Sequence, residues 1–333
     1  MTDLEECGLS QGRIEVGGRH LLVTVDFDGF TPEDGPLWCR AMRHWAEGLR
    51  RSPWKPALFV ALENVVRLRR GDGAAYAEFL AAFRELTRAG SVLYPHNHGA
   101  FDPDTGRPLS PVGELPPGPG EYRKRPSMYY DVVHRNGLQI AAWLGTLRDL
   151  YEGLLRDVEC PRPRLLAYRA GGWDYGGSCL DLGRYLDGLR EAGFAIDSSA
   201  CRGAFGTPSW RIGARFGSNA FRCGGGLIEL APCWAAEWIL DPASAATWAA
   251  LGQLREHGRL WTGGQGVFVV VLHFDHLFHR RTGRGYDYFA VRDFPTIARR
   301  VDRIFGLMAV LQRCLRLKAG EFDVMQPHLG GGP

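Results

Sequence analysis

Leu21–Phe30 reads LLVTVDFDGF, a run of apolar and β-branched residues that closes on two carboxylates, Asp26 and Asp28. Successive side chains on a strand point to opposite faces, so residues two apart share one. Asp26 and Asp28 are therefore expected side by side at the mouth of a strand. Ser91–His98, SVLYPHNH, repeats the device with His96 and His98. Two carboxylates and two imidazoles brought to one strand-end cleft can hold a divalent metal and still leave a carboxylate free to act as a base.

Working outward, the chain alternates strand and helix signals. Leu37–Arg51 has apolar residues at helical spacing, Pro56–Leu62 is a short apolar run suited to a strand covered on both faces, and Gly73–Arg88 is a helix stopped by Gly90. The His-bearing strand follows. Between about residues 101 and 130 the pattern breaks down around PPGPG and EYRKR, either as a lid over the cleft or as a plain insertion. Helix signals resume over Asn136–Val158. Strands are then expected at Arg164–Tyr168, Phe194–Ser199, Leu227–Leu230 and Gly266–His273, with a helix at Leu180–Ala192, a last helix over Phe294–Leu317 and a short strand at Glu321–Val324. Such an order signals parallel βα units. The expectation is a single domain over residues 1–333, a distorted (β/α) barrel of seven or eight parallel strands.

Composition bounds the rest. With 333 residues, 45% hydrophobic and 23% charged, the chain can bury a large core. A net charge of +3, with Lys and Arg scattered, gives nucleic-acid binding little support. No apolar run approaches the ~20 residues that span a bilayer, and the N-terminus lacks the basic start and apolar stretch of a secretory signal. A cytoplasmic location is expected. The eight cysteines show no CxxC spacing and are expected to be reduced, Cys201 and Cys223 being the one pair that flanks an irregular segment. Oligomeric state is not written in the sequence.

Asp26, Asp28, His96, His98, Arg169, Asp197 and His273 all fall at the C-terminal ends of expected strands, where parallel barrels build their active sites. Core packing does not predict polar residues at every strand end. Singly, each has a plainer reading: Asp28 before a glycine as a turn former, His98 as a loop residue, Asp197 as a cap. Arg169 is a candidate ion-pair partner of Asp26 or Asp197. His276 joins His273 as a cleft candidate, whereas His279, beside Arg280 and Arg281, reads as solvated surface. Trp173, Trp210 and Trp234 lie in irregular cleft-side segments and suit stacking on a sugar ring.

With these residues in hand, the chain resembles the polysaccharide deacetylases, the NodB-homology carbohydrate esterases. Thr24-Val-Asp26-Phe-Asp28 is similar to a variant of that family's first motif with one residue between the carboxylates. Pro95-His96-Asn-His98 is similar to a His-x-His subgroup, in place of the usual two His four apart. Tyr168-Arg-Ala-Gly-Gly-Trp173 followed by Asp197-Ser-Ser199 resembles the subgroup's arginine motif and its downstream partner, and Leu227-Ile-Glu-Leu and Val271-Leu-His273 fall where the later motifs lie. The resemblance covers about residues 20–280.

It implies that Asp28, His96 and His98 bind the metal, with Asp102 as an alternative last ligand. Asp26 would be the general base, Arg169 its orienting partner, and His273, in competition with His276, the acid. Trp173, Asp197, Trp210, Trp234 and His276 are the substrate-binding candidates. The implied cofactor is a divalent metal, Zn2+ first, with Co2+, Mn2+, Ni2+ or Fe2+ as alternatives. The implied reaction removes an N-acetyl group from an amino-sugar-containing cytoplasmic substrate, a small molecule or a glycan. The alternatives are hydrolysis of a non-sugar amide or other C–N bond, a non-catalytic carbohydrate-binding protein, and a glycoside hydrolase that pairs Asp26 with Asp197.

Overall fold

A computed structural model describes residues 10–28, 30, 34–98, 101–107, 140–170, 179–199, 220–232, 234–235, 266–282, 285–287 and 289–329. The strands among them are β1 Ser10–Arg13, β2 Arg19–Phe27, β3 Ala57–Ala61, β4 Val92–Asn97, β5 Ala167–Ala170, β6 Ile196–Asp197, β7 Ala220–Cys223, β8 Ile228–Leu230, β9 Trp234–Ala235, β10 Gly266–His273, β11 Arg280–Thr282, β12 Gly285–Asp287 and β13 Lys318–Ala319. The helices are α1 Gly35–Arg50, α2 Leu62–Gly71, α3 Gly73–Arg88, α4 Ile140–Val158, α5 Cys179–Glu191 and α6 Phe294–Leu315.

Strand order in the main sheet is β1-β7-β8-β6-β5-β4-β3-β2-β10-β9, with β13 also pairing β2. From β8 to β9 every neighbouring pair runs parallel, eight strands in all. This is the expected α/β barrel architecture, realised as a curled, mostly parallel half-barrel. β7 and β1 extend it antiparallel at one edge, an extension the sequence reading did not include. Parallel neighbours need crossover helices, and an apolar stripe on each helix covers the sheet. In α1 that stripe is Trp38, Cys39, Ala41, Met42, Trp45, Ala46 and Leu49, all buried.

Side-chain parity then divides β2. Phe27 points outward and stacks on Phe274, with Trp38 and Phe83 around it. Thr24 and Asp26 point inward, because both meet Arg169 of β5. β2 and β5 are three strand spacings apart, ~14 Å on a flat sheet, and side chains stand roughly perpendicular to a sheet. Their contact therefore requires the sheet to curl around a common interior.

An aromatic floor lies beneath that contact. Phe59 and Tyr94, inward on β3 and β4, pack against Phe322, with ring centroids 6.0 and 4.9 Å away. The strand expected at Glu321–Val324 is instead a 3-10 turn over Phe322–His328, and the short strand falls earlier, at Lys318–Ala319. Pro327 has no N–H for a ladder, and Phe322 turns inward to close the barrel bottom. The apolar run expected as strand through Leu62 also ends sooner. β3 stops at Ala61 and α2 starts at Leu62 with no intervening loop. Cys39 and Cys223 are buried, Cys160 half-buried and Cys314 exposed, all free thiols among the described residues.

Candidate active site

Register sets the height of each functional group. His273 of β10 is paired with Asp26 of β2, and His96 of β4 with Arg169 of β5. All four sit at the C-terminal ends of their strands, the end at which βα loops open a parallel barrel.

Asp26 is 1% exposed and Arg169 fully buried. Arg169 Nη1 donates to Asp26 Oδ1 at 2.6 Å and to Thr24 Oγ1 at 3.0 Å. Its Nε donates to the Ser198 carbonyl at 3.2 Å and Nη2 to Ser198 Oγ at 2.9 Å, while the guanidinium lies 4.2 Å over the Phe59 ring. A planar fork held at this many points is a fixed charge. Of the two partners open to Arg169 in the sequence, the structure selects Asp26. The other carboxylate oxygen, Oδ2, lies 3.8 Å from His273 Nε2.

Asp28, His96 and His98 converge beside this pair. His96 Nε2 is 3.1 Å from Asp28 Oδ1, and His98 Nε2 is 3.2 Å from Asp28 Oδ2. The two rings meet edge to face with centroids 4.7 Å apart. All three can direct one ligand atom at a common point. The two-residue spacing of the His pair thus closes the triad, because strand parity aims both rings inward.

The hydrogen bonds behind the rings fix which nitrogen faces that point. The Arg169 carbonyl, 2.9 Å from His96 Nδ1, can only accept, so Nδ1 carries the proton and Nε2 presents its lone pair. Glu63 Oε1, 3.0 Å from His98 Nδ1, imposes the same choice there. Asp28 Oδ1 and His96 Nε2, although buried and close, have no hydrogen-bond partner. Converging lone pairs left without protons to share fit a cation.

The electrostatics agree. Burial works against the charge on Asp28, but His98 and His96 outweigh it and hold the carboxyl well below the usual range. Burial also opposes a charge on His98, yet Asp28 and Glu63 hold the imidazolium well above its ordinary range. The field that favours a proton on Nε2 favours a divalent cation at the same place. Glu63 itself is lowered, with His98 overcoming the effect of burial.

A second Asp–His–His group, Asp275, His276 and His279, likewise brings one ligand atom from each side chain together, but its wiring differs. The Phe289 N–H donates to His279 Nδ1 at 3.1 Å, which leaves the proton on Nε2, directed at Asp275 Oδ2 3.0 Å away. The nitrogen facing the carboxylate is therefore a donor and not a ligand. This is a buried Asp–His pair beside the cleft. His276 lies between His279 and His273, its ring centroid 5.2 Å from each, stacked on His273 and tilted against His279. His279, read from sequence as solvated surface, is 2% exposed, because the chain turns after β10 and carries it under Phe289. Asp275 was not singled out in the sequence. Its carboxyl is lowered because His276 and His279 outweigh burial, while the nearby Asp28 charge opposes the shift.

Other expectations are corrected. Asp197 is fully buried and does not reach the cleft. It pairs in register with the outward Tyr168 and is bonded by Ser199 Oγ and the Tyr185 hydroxyl, under α5. Inward, at the next position, is Ser198, which holds Arg169. Asp197 is thus held within the scaffold behind β6. Asp102 is not among the described residues whose ligand atoms converge with Asp28, His96 and His98. Its Oδ1 accepts from the backbone N–H groups of Asp104 and Thr105, an Asx turn. Trp173, Trp210 and Cys201 lie outside the described residues, as does the expected lid beyond Arg107. Trp234 is on β9, paired with Val270. Glu63 was missed, hidden at the unexpected strand-to-helix junction; the acidic residue opening LENVVRLRRG and the helical spacing after it were the available signal.

Fold and site together define a parallel α/β half-barrel with an Asp–Arg pair and an Asp–His–His centre at its open end. No family profile matches the sequence, and no curated protein does. Among solved structures, the chain is similar to a proposed polysaccharide deacetylase from Mycobacterium smegmatis, with 13% identity, TM-score 0.39 and coverage of 94% of this chain and 97% of that one. It is also similar to a family 4 carbohydrate esterase from Streptomyces lividans in complex with acetate, with 10% identity, TM-score 0.38 and coverage of 95% and 99%. A third likeness is to the Xyl-CE4 domain of a multidomain xylanase from the hindgut metagenome of Trinervitermes trinervoides, with 9% identity, TM-score 0.35 and coverage of 93% and 91%. Strand order, register and site geometry stand independently of these likenesses.

Proposed function

We propose that this chain is a metal-dependent deacetylase of the polysaccharide deacetylase type, removing the N-acetyl group of an amino-sugar unit in a soluble or lipid-linked cytoplasmic substrate. The observation that carries this reading is the junction of two devices at one barrel end. Asp28, His96 and His98 direct ligand atoms at one point, while Asp26, fixed by Arg169, stands beside them. Asp28, His96 and His98 would hold the ion, and one carboxylate with two imidazoles suits Zn2+ first, with Co2+, Mn2+, Ni2+ and Fe2+ as alternatives. When bound, such an ion polarises an amide carbonyl and acidifies a water.

The protein's own groups supply the proton transfers. Arg169 occupies Oδ1 of Asp26 and leaves Oδ2 on the cleft side, where it takes a proton from the attacking water. The carbon–nitrogen bond then breaks as the leaving amine gains a proton. His273 would give it, and its position level with Asp26 on the adjacent strand, with the side chain 18% exposed, supports that role. The products are acetate and a free amine. Glycoside hydrolysis by Asp26 and Asp197 loses its basis, because Asp197 is sealed behind the sheet.

The test is metal analysis and acetate release for the wild type, His96→Ala and His98→Ala, with N-acetylated amino sugars assayed beside formamides and cyclic amides. The expected result is about one divalent ion per chain in the wild type, little in either variant, and chelator-sensitive acetate release from the sugars. A wild type without metal whose activity survives chelation overturns the proposal. Turnover confined to non-sugar amides moves the reaction to another C–N bond.

A further inference from the structure

Glu63 makes a pair of contacts that neither the barrel nor its core requires. A single oxygen, Oε1, accepts from the His98 ring at Nδ1, 3.0 Å away, and from the His98 backbone N–H, 3.1 Å away. We propose that Glu63 is a positioning residue of the metal centre, fixing the Nδ1–H tautomer and the orientation of His98 so that Nε2 faces Asp28. The proposal rests on the metal-centre reading above.

Local structure explains why this position supplies the group. His96 lies within β4, where its neighbours on both sides set its direction, and its Nδ1 is held by a main-chain carbonyl from β5. His98 lies one residue past the end of β4, and among the described residues no ladder partner fixes it. Its ring is 36% exposed, whereas that of His96 is 1% exposed. Without a second anchor it would lose a freely rotating ring to the ordering that ligation demands. Glu63 provides that anchor because α2 follows β3 with no loop. Ala61, the last residue of β3, is level with His96, so a side chain two residues on stands beside His98. The carboxylate also sits in the first turn of α2, where the helix dipole favours negative charge.

The nearby Asp275 and His279 supply the contrast. There the backbone donates to the ring, the proton sits on the nitrogen facing the carboxylate, and no lone pair is offered. At His98 an acceptor lies behind the ring, so the lone pair faces forward. Orientation by the group behind the ring separates a metal ligand from a structural imidazole.

The experiment measures Zn2+ affinity by competition with a chromophoric chelator, using wild type, Glu63→Gln, Glu63→Ala and His98→Ala. In parallel, 15N shifts of the neutral His98 ring report its tautomer in the metal-free proteins. Glu63→Ala is expected to weaken Zn2+ binding 10- to 100-fold, as loss of an outer partner typically does, and to mix the two His98 tautomers. Glu63→Gln, whose amide oxygen still accepts but without charge, should fall between, with the Nδ1–H form retained. If Glu63→Ala fails to fold, Glu63→Gln decides on affinity. Wild type that binds no Zn2+ overturns the metal-centre reading itself. Wild type that binds Zn2+, with Glu63→Ala equally tight or weakened with the His98 tautomer unchanged, or with Glu63→Gln equally tight where Glu63→Ala does not fold, overturns the role of Glu63 alone.

Discussion

Replacing Arg169 with Met gives a stability test of the interior charge pair on which the active-site geometry depends. Arg169 and Asp26 are both 1% exposed or less, and Arg169 is the hydrogen-bond donor to the Asp26 carboxylate. Removing the guanidinium strips the Asp26 carboxylate of its buried partner in a low-dielectric interior, which costs about 3–5 kcal/mol. It also removes the donors to Thr24, the Ser198 carbonyl and Ser198 Oγ. Asp26→Asn in the same chain removes the stranded charge but not the lost contacts. The double variant should therefore be more stable than the sum of the single losses predicts, by about 2–3 kcal/mol of coupling. Urea unfolding of all four proteins, with chelator present so that metal linkage does not enter, measures this through midpoints at equal slope. Additivity within about 0.5 kcal/mol would show that Asp26 does not depend on Arg169 for its charge, and the mechanism would lose its fixed base.

Three further outcomes follow from other parts of the barrel. Burial raises the Asp197 carboxyl from 3.8 to about 6. A group that binds its proton more tightly when folded adds stability below its unfolded value and loses it as pH climbs through its folded one, here ~3 kcal/mol between about pH 4 and 6. Asp197→Asn should flatten that fall in urea midpoints taken across the range, and an unchanged slope contradicts the assignment. Phe322→Ala opens the barrel floor beneath Phe59 and Tyr94 and should cost about 3–5 kcal/mol with Zn2+ affinity unchanged; a loss below ~1 kcal/mol means that the floor repacks. His273→Gln should lower kcat roughly 10²- to 10⁴-fold with a smaller effect on KM, and His276→Gln should do less. The reverse ranking would transfer the acid role to His276.

What could be read from the sequence follows from periodicity. Parity along LLVTVDFDGF and SVLYPHNH places Asp26, Asp28, His96 and His98 on inward faces, and the order of apolar runs gives a parallel barrel, because both are local properties of the chain. Arg169 was legible as a strand-end residue, but its partner was not. The choice between Asp26 and Asp197 depends on which face of β6 Asp197 takes, and β6 is only two residues long. One step of parity put Ser198 inward and Asp197 outward. The edge strands β1 and β7 pair residues about two hundred positions apart, a contact no local window contains.

Glu63 escaped for a more instructive reason. In an ordinary βα unit a loop separates strand from helix, and the active-site residues are sought in that loop. Here the loop between β3 and α2 has no length, so the first turn of the helix does the loop's work. The same economy explains how two His only two residues apart would serve one ion in the proposed centre. Strand geometry aims both rings inward but leaves the second past the end of β4, and a neighbouring element must restrain it. A His-x-His pair at a strand end therefore calls for an acceptor on the adjacent βα unit. In this chain, Glu63 provides that acceptor.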